Sequence, residues 1–395
     1  MSLCKSQFNQ RVKSQFKEQL PILYKNLRFV MGFFLMAFAY RKISFDRGII
    51  NYFLSCKWGE TQLNLLYENS HSHRNPLRLD VIKSQRIQPS VLPEYYHYNP
   101  TLQLHDGIIR IFWRVSDYTF LNFQDELGRW NGKNLEDLEN FERIATGILD
   151  AATESNFGLM SHEVVLPELE VINRVEVAKE IGWEGAKIYI EDPRAHEGIG
   201  RWITACARFG KIGKNFYRMI IIDLEKNRGV IIPSSDSNKT EKNWVVICES
   251  EDSLLFLNQS KPPLIDKVDI KTGIPERLEI QENINSANYA NLNGGSAFVR
   301  FDSSHFLRVA RLQFPIYPNG GGCRINVLVL HDLEFNEIAR SKPFIFTKLG
   351  VEICNGLLVI DDFVYFSWGL DDIEMYVGKC SKVDLMLWFN KNLQN

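Results

Sequence analysis

Residues 189–208 read YIEDPRAHEGIGRWITACAR. Glu191, Asp192, Pro193 and Arg194 fall where one strand-like run, Lys187 to Ile190, stops and before a second, Trp202 to Ala207, begins. A hairpin needs only turn chemistry at such a place. Two carboxyls and a guanidinium supply more. A carboxyl can pass a proton, and an arginine can hold an anion or a sugar hydroxyl on its planar fork. The same residues admit a plainer role, in which Asp192 and Arg194 pair to close a turn.

Comparable residues recur at other strand ends. Asn99 lies in YHYNPTLQL and Arg114 in FWRVS. Glu241, Lys242, Asn243 and Trp244 form EKNW, and NGGSA occupies 293–297. Glu352 lies in GVEICNGL, and SWGLDD ends in Asp371 and Asp372. Lys242 and Asn243 would also serve as turn residues, and Asp371 and Asp372 as solvated strand ends. Trp244 and Trp368 would stack on a sugar ring or, as is commoner, fill a core. His196 reads as a loop histidine facing water. The eight His show no two-His-plus-acid spacing, so no metal is expected.

The elements that must position these groups read as β. LQLHDGIIRIFWRV, GIGRWITACARF, WVVICESEDSLLFLNQ, SAFVRFDSSHFLRVARLQ and LLVIDDFVYFSWGL are each paired apolar runs about a tight polar turn such as Asp106-Gly107. They recur roughly every fifty to ninety residues, with too few helices between them for βαβ units. An all-β chain must dispose of its sheet edges, and a radial array of four-stranded blades does so. A sandwich would struggle to use this length in one core. The expectation is therefore an all-β, five-bladed β-propeller over residues 96–385. In a propeller the innermost strand ends converge on the axis, so the polar tips would meet.

Outside it, residues 1–42 read as a basic and apolar helical extension, and 43–95 as a mixed lead-in segment. NLEDLENFERIATGILDAA carries Leu135, Leu138, Phe141, Ala145, Ile148 and Leu149 at helical spacing behind Asn134 as cap. This predicts a helical insertion at about 124–152. The apolar run Phe29 to Tyr40 is too short to span a membrane. It admits three readings: a helix buried against the domain, a membrane-surface anchor, or the apolar part of a signal peptide ending at Ala37 and Ala39.

Composition sets the bounds. The 395 residues are 45% hydrophobic and 24% charged with net charge −2, an ordinary globular balance that gives nucleic acid no electrostatic footing. The seven Cys are odd in number and form no CxxC pair, which argues against a zinc site or disulfide framework and towards a reducing, cytoplasmic location. Cys206, in ITACARF, reads as a buried inert thiol.

In order, YNPTLQLHDGIIRIFWRVS, NFGL, IEDPR, EKNW, NGGSAFVRF and VEICNGLLVIDDFVYFSWGLDD resemble the five-bladed glycoside hydrolases that include the β-mannoside phosphorylases. They are similar also to relatives associated with glycosyltransferases that carry the KNW element. The resemblance covers about residues 95 to 385. It implies action on a mannoside or related glycan by hydrolysis, phosphorolysis or glycosyl transfer, or binding alone, with Asp192 as proton donor. Glycosidic cleavage needs an acid on the leaving-group side and a nucleophile on the other face. Inorganic phosphate as nucleophile would dispense with a second carboxylate but needs cations, for which Arg114, Arg194 and Lys242 would converge. Glu191, Asn99, Asn243, Glu352, Asp371 and Asp372 complete the expected binding set, with no other cofactor. Two departures stand out. The phosphorylases' His-Arg-Pro segment is replaced by Leu257, Asn258 and Gln259, and Asn293 rather than Arg precedes the glycine pair. Two cationic groups are thus missing from the expected anion site.

Overall fold

In a computed structural model the protein is described at residues 77–117, 142–150, 158–198, 200–211, 214–234, 241–260, 263–278, 292–315, 322–348 and 351–394. The N-terminal extension, with Phe29 to Tyr40, and residues 124–141 and 151–152 of the expected insertion lie outside them.

The chain enters through β1 (Leu77–Arg78) and β2 (Lys83–Ile87). Blade one follows as β3 (Tyr96–His105), β4 (Ile108–Ser116), β5 (Glu142–Asp150) and β6 (Leu159–Val165). After β7 (Glu170–Ile172) and helix α1 (Arg174–Glu180), blade two is β8 (Ile188–Arg194), β9 (Trp202–Lys211), β10 (Lys214–Asp223) and β11 (Arg228–Ile231), with β7 added at its outer edge. Blade three is β12 (Val245–Glu249), β13 (Ser253–Ser260), β14 (Pro263–Asp269) and β15 (Pro275–Leu278).

Blade four splits its inner strand into β16 (Leu292–Asn293) and β17 (Val299–Arg300). It continues with β18 (Phe306–Pro315), β19 (Gly322–His331), β20 (Glu337–Arg340) and β21 (Phe344–Ile345), and takes β1 alongside β21. Blade five is β22 (Glu352–Ile360), β23 (Phe363–Leu370) and β24 (Glu374–Ser381), completed by β2 on its outer edge. Helix α2 (Lys382–Lys391) closes the chain, capped by the Ser381 hydroxyl, which accepts from the Asp384 amide at 3.0 Å.

Strand alternation makes the ring. Along β4, Ile109, Ile111, Trp113 and Val115 pack towards blade five, while Phe112 on the other face packs with Ile203, Ala205 and Ala207 of blade two. Each sheet is therefore apolar on both faces, and the main cores lie between neighbouring blades. Trp244, Val246 and Phe256 meet Met219 and Ile221 between blades two and three; Val245, Ile247 and Leu257 meet Phe298 between three and four. Val309 and Leu328 meet Phe366 and Trp368 between four and five. Trp244 and Trp368 are core residues, and Cys206 is fully buried.

Polar bonds close the inner ring at every junction. Thr101 Oγ1 donates to Asn355 O of blade five at 3.2 Å and accepts from the Ala195 amide of blade two at 2.9 Å. Arg194 donates to Trp244 O at 2.7 Å, the Phe298 amide to Val246 O at 2.9 Å, and Asn326 Nδ2 to Glu352 Oε2 at 2.9 Å.

Two sequence expectations change. Glu142–Asp150 is a strand, not the end of a helix. Ile144, Thr146 and Ile148 are β-branched and Gly147 is a poor helix former, so the run pairs with β4 and β6 and buries Ile144 and Leu149. Likewise Lys83–Ile87, within the lead-in segment by sequence, forms the outer strand of blade five. Among the described residues no helix is long and apolar enough to cross a membrane.

Candidate functional site

The inner strands break at matching places. β3 carries a bulge between Tyr98 and Thr101, β8 between Glu191 and Arg194, and β22 between Cys354 and Gly356. Asn99 and Asp192, each followed by proline, sit at φ 52°, Asn243 at 69° and Gly294 at 51°. Asn and Asp tolerate this left-handed region better than other side chains, yet holding it costs about 1–2 kcal/mol each. A bulge re-aims a side chain out of the ladder, as at Asn99 and Asp192 in blades one and two, while Asn243 of blade three and Gly294 of blade four turn through left-handed backbone alone. Gly369 of β23 allows the close approach, since a Cβ there would lie 2.7 Å from the Asn99 amide nitrogen.

Asp192 is the meeting point. Its Oδ1 accepts from Asn99 Nδ2 at 2.8 Å and lies 3.4 Å from Arg114 Nη1, both of blade one; its Oδ2 lies 3.6 Å from Lys242 Nζ of blade three. Glu191 shares the cations, with Oε2 at 2.7 Å from Arg114 Nη1 and Oε1 at 3.7 Å from Lys242 Nζ. Lys242 also sits 4.3 Å above the Tyr217 ring centroid, and Arg114 5.0 Å above that of Tyr98.

Burial works against the Asp192 carboxylate, but Lys242, Arg114, Arg194 and the Asn99 bond outweigh it and hold the group well below the ordinary carboxyl range. Lys242 mirrors this: burial opposes its charge, yet Glu191, Tyr217 and Asp192 make it hold its proton more firmly than usual. Asp372 goes the other way. Burial pushes its carboxyl up to about 6, against the pull of Arg114, Arg324 and Lys242, with Asp192 adding to the rise. Two acids in electrostatic reach of each other thus have opposite proton affinities.

Sequence reasoning missed what stands behind this cluster. Glu142, the first residue of β5, is fully buried and bridges two arginines: Arg114 through Oε1, and Arg208 of β9, which donates to Oε2 at 2.7 Å. Arg208 lies over the Tyr189 ring at 4.3 Å. A signal existed in the sequence, because Arg208 interrupts the apolar run ITACARF on a strand with no exposed face.

Other expected residues fall apart from the cluster. Both oxygens of Glu352 are committed within the fold: Oε2 accepts from the Phe346 amide at 2.8 Å and from Asn326, and Oε1 from the Thr347 amide at 2.8 Å. Burial raises its pKa to about 7, with those amides pulling the other way. Asp371 accepts from the Val351 amide at 3.0 Å and pairs with Lys348 at 3.1 Å. Both are turn-fixing acids, because nearby backbone donors claim them first. His196 is buried, not water-facing, with Nε2 at 3.0 Å from Glu249 Oε2. Arg194 and Asn243 bond each other at 2.7 Å beside the cluster.

No family model matches the chain, and no curated protein matches it. Solved structures do. A β-1,2-mannobiose phosphorylase from Listeria innocua, in complex with β-1,2-mannobiose, is 10% identical and aligns over 78% of this chain and 100% of its own, with TM-score 0.46. A glycosyl hydrolase from Bacteroides ovatus is 12% identical over 77% of this chain and 90% of its own, with TM-score 0.45. A GDP-Man-dependent mannosyltransferase from Leishmania mexicana is 10% identical over 80% and 91%, with TM-score 0.45.

Proposed function

We propose that the protein is a carbohydrate-active enzyme that works on the glycosidic bond of a mannoside or related glycan, the sugar end entering at the inner strand tips, with Asp192 as the general acid. One observation carries this reading: Asp192 meets Asn99, Arg114 and Lys242 from two other blades at 2.8–3.6 Å. A glycosidic oxygen leaves well only when protonated. Its cationic partners hold Asp192 ionised, so it takes up its proton as the bound sugar excludes water and draws Lys242 from its long contact at 3.6 Å. Arg114 and Glu191 hold sugar hydroxyls beside it in this reading.

The opposed pKa directions favour one variant of this reading. There Asp372, pushed to about 6, delivers the proton, and Asp192 is the anionic partner that steadies positive charge on the sugar ring.

The test is incubation with β-mannosides in water, with added phosphate, and with a sugar acceptor, following mannose, mannose 1-phosphate and longer products. Turnover that disappears in Asp192→Asn supports the reading. An alkaline limb of the kcat/KM profile near pH 6 that is lost in Asp372→Asn assigns the proton to Asp372. Oligosaccharide binding without turnover in any arm makes the protein a glycan-binding module instead.

A further inference from the structure

A buried carboxylate stands behind Asp192 and reaches it by two routes. Glu142 opens β5 of blade one. Its Oε1 contacts Arg114 Nη2 of the same blade, and its Oε2 accepts from Arg208 Nη2 of blade two at 2.7 Å. Arg114 turns its other amino group, Nη1, to Glu191 at 2.7 Å and to Asp192 at 3.4 Å. Arg208 stands opposite Tyr189 of β8 and Tyr217 of β10 in the two ladders of β9, and lies 4.3 Å over the Tyr189 ring. The Tyr217 ring carries Lys242 at 4.3 Å, and Lys242 reaches Asp192 at 3.6 Å and Glu191 at 3.7 Å.

A guanidinium is a rigid plane, so fixing one of its arms on Glu142 fixes where the other arm points. Its charge is shared as well. Arg114 divides between the carboxylates of Glu142, Glu191 and Asp192, and its longer contact is the one to Asp192. A cation committed to Asp192 alone would hold it ionised more firmly. An acid that must take a proton and pass it to a leaving group gains from the sharing.

The charges around the two site acids are known from every side. Asn99 and Arg114 of blade one, Arg194 of its own strand and Lys242 of blade three face Asp192. Asp372 of blade five feels Arg114, Arg324 of blade four, Asp192 and Lys242. Arg114 is common to both, so any change in how Glu142 engages it is felt at Asp372 too.

We propose that Glu142 is a positioning residue for Asp192: it aims Arg114 and Arg208 and takes up part of their charge, leaving less of it on the acid. The proposal rests on the reading above only in taking Asp192 as that acid.

Carbon-13 NMR of the full chain, labelled at the aspartate side-chain carboxyls, tests it without substrate. The reporter is the Asp372 signal, identified by its loss in Asp372→Asn, which titrates near pH 6 in wild type. Glu142→Gln keeps the side chain's shape but removes its charge, so Arg114 pulls harder on the remaining acids and the midpoint falls by about 0.5 in pH or more. Arg208→Met acts the other way: Glu142 turns wholly to Arg114, and the midpoint rises. A merely structural role would loosen the site and move both variants in one direction. Glu142→Asp restores the charge and brings the midpoint back towards wild type. Asp266→Asn, which removes a buried acid paired with Arg277 in blade three, leaves it in place. Unmoved midpoints, shifts of one sign, or an equal shift in Asp266→Asn overturn the proposal. If Glu142→Gln does not fold, a midpoint that fails to rise in Arg208→Met overturns it. Turnover of β-mannosides separates this proposal from the reading it rests on. Where turnover exists, Glu142→Gln lowers kcat more than it raises KM and moves the alkaline limb to lower pH. Opposite midpoint shifts without turnover of any glycoside defeat the enzyme reading alone; turnover with unmoved midpoints defeats the positioning role alone.

Discussion

The tips of blades two and five carry the same kind of residue and have opposite fates. In blade two, Glu191 and Asp192 are buried against cations delivered by other blades, at 2.7–3.7 Å. In blade five, Glu352 and Asp371 accept from backbone amides of residues 346, 347 and 351, so their negative charge fixes a turn. An acid held by nearby amides has little left to offer a ligand. An acid held by side chains from across the ring can exchange them for one. The difference between scaffold and site here lies in where the partners come from, not in the acid.

That contrast can be broken by mutation. Replacing Asp192 by Asn should lower kcat by about 10²–10⁴, the span of a lost general acid, with the fold intact by circular dichroism. Glu142→Ala leaves Arg114 and Arg208 buried without their shared carboxylate and should cost about 3–5 kcal/mol in chemical denaturation. Glu352→Ala strips the amides of Phe346 and Thr347 and the Asn326 amide of their acceptor, for a loss of about 2–3 kcal/mol. It should leave glycoside affinity nearly unchanged; a tenfold loss of affinity would erase the distinction drawn between the two blades.

The pH dependence of stability sharpens it further. The Asp372 pKa rises on folding from the ordinary carboxyl range to about 6, so between about pH 4 and 6 the native state binds more protons than the unfolded one. Its contribution to stability is therefore lost as pH rises through that window. Asp372→Asn should flatten the decline by at most about 3 kcal/mol between pH 4 and 8. Asp192 has the opposite sign: its stabilisation is present above about pH 4 and is lost progressively as pH falls from there towards its depressed folded-state pKa. The smallest effect is expected at Asp371→Asn, about 1 kcal/mol or less in Tm measurements, because a partly exposed pair with Lys348 is most of what is lost.

The hairpins were legible in the sequence because a tight turn between apolar runs is a local signal, and Asp106-Gly107 and Asp361-Asp362 sit where such turns occur. Tip residues before proline were legible too, as Asn99 and Asp192 show. What sequence could not show was assembly. Glu142 read as part of a helix because an apolar spacing fits either period in so short a run, and only pairing to β4 decides it. Arg311 lies on a middle strand, in a segment that looks like core, and only the collision-free space at Gly294 connects it to Asn243.

Blade five is finished by Lys83–Ile87, laid in register against Glu374–Ser381. That sheet thus joins an early strand to a late one. During synthesis the early strand must wait for its partner until Glu374–Ser381 has left the ribosome, and a protease cut between Ile87 and Tyr96 would leave that seam held by hydrogen bonds and packing alone. The closed ring is the last thing made and the first thing such a cut would unfasten.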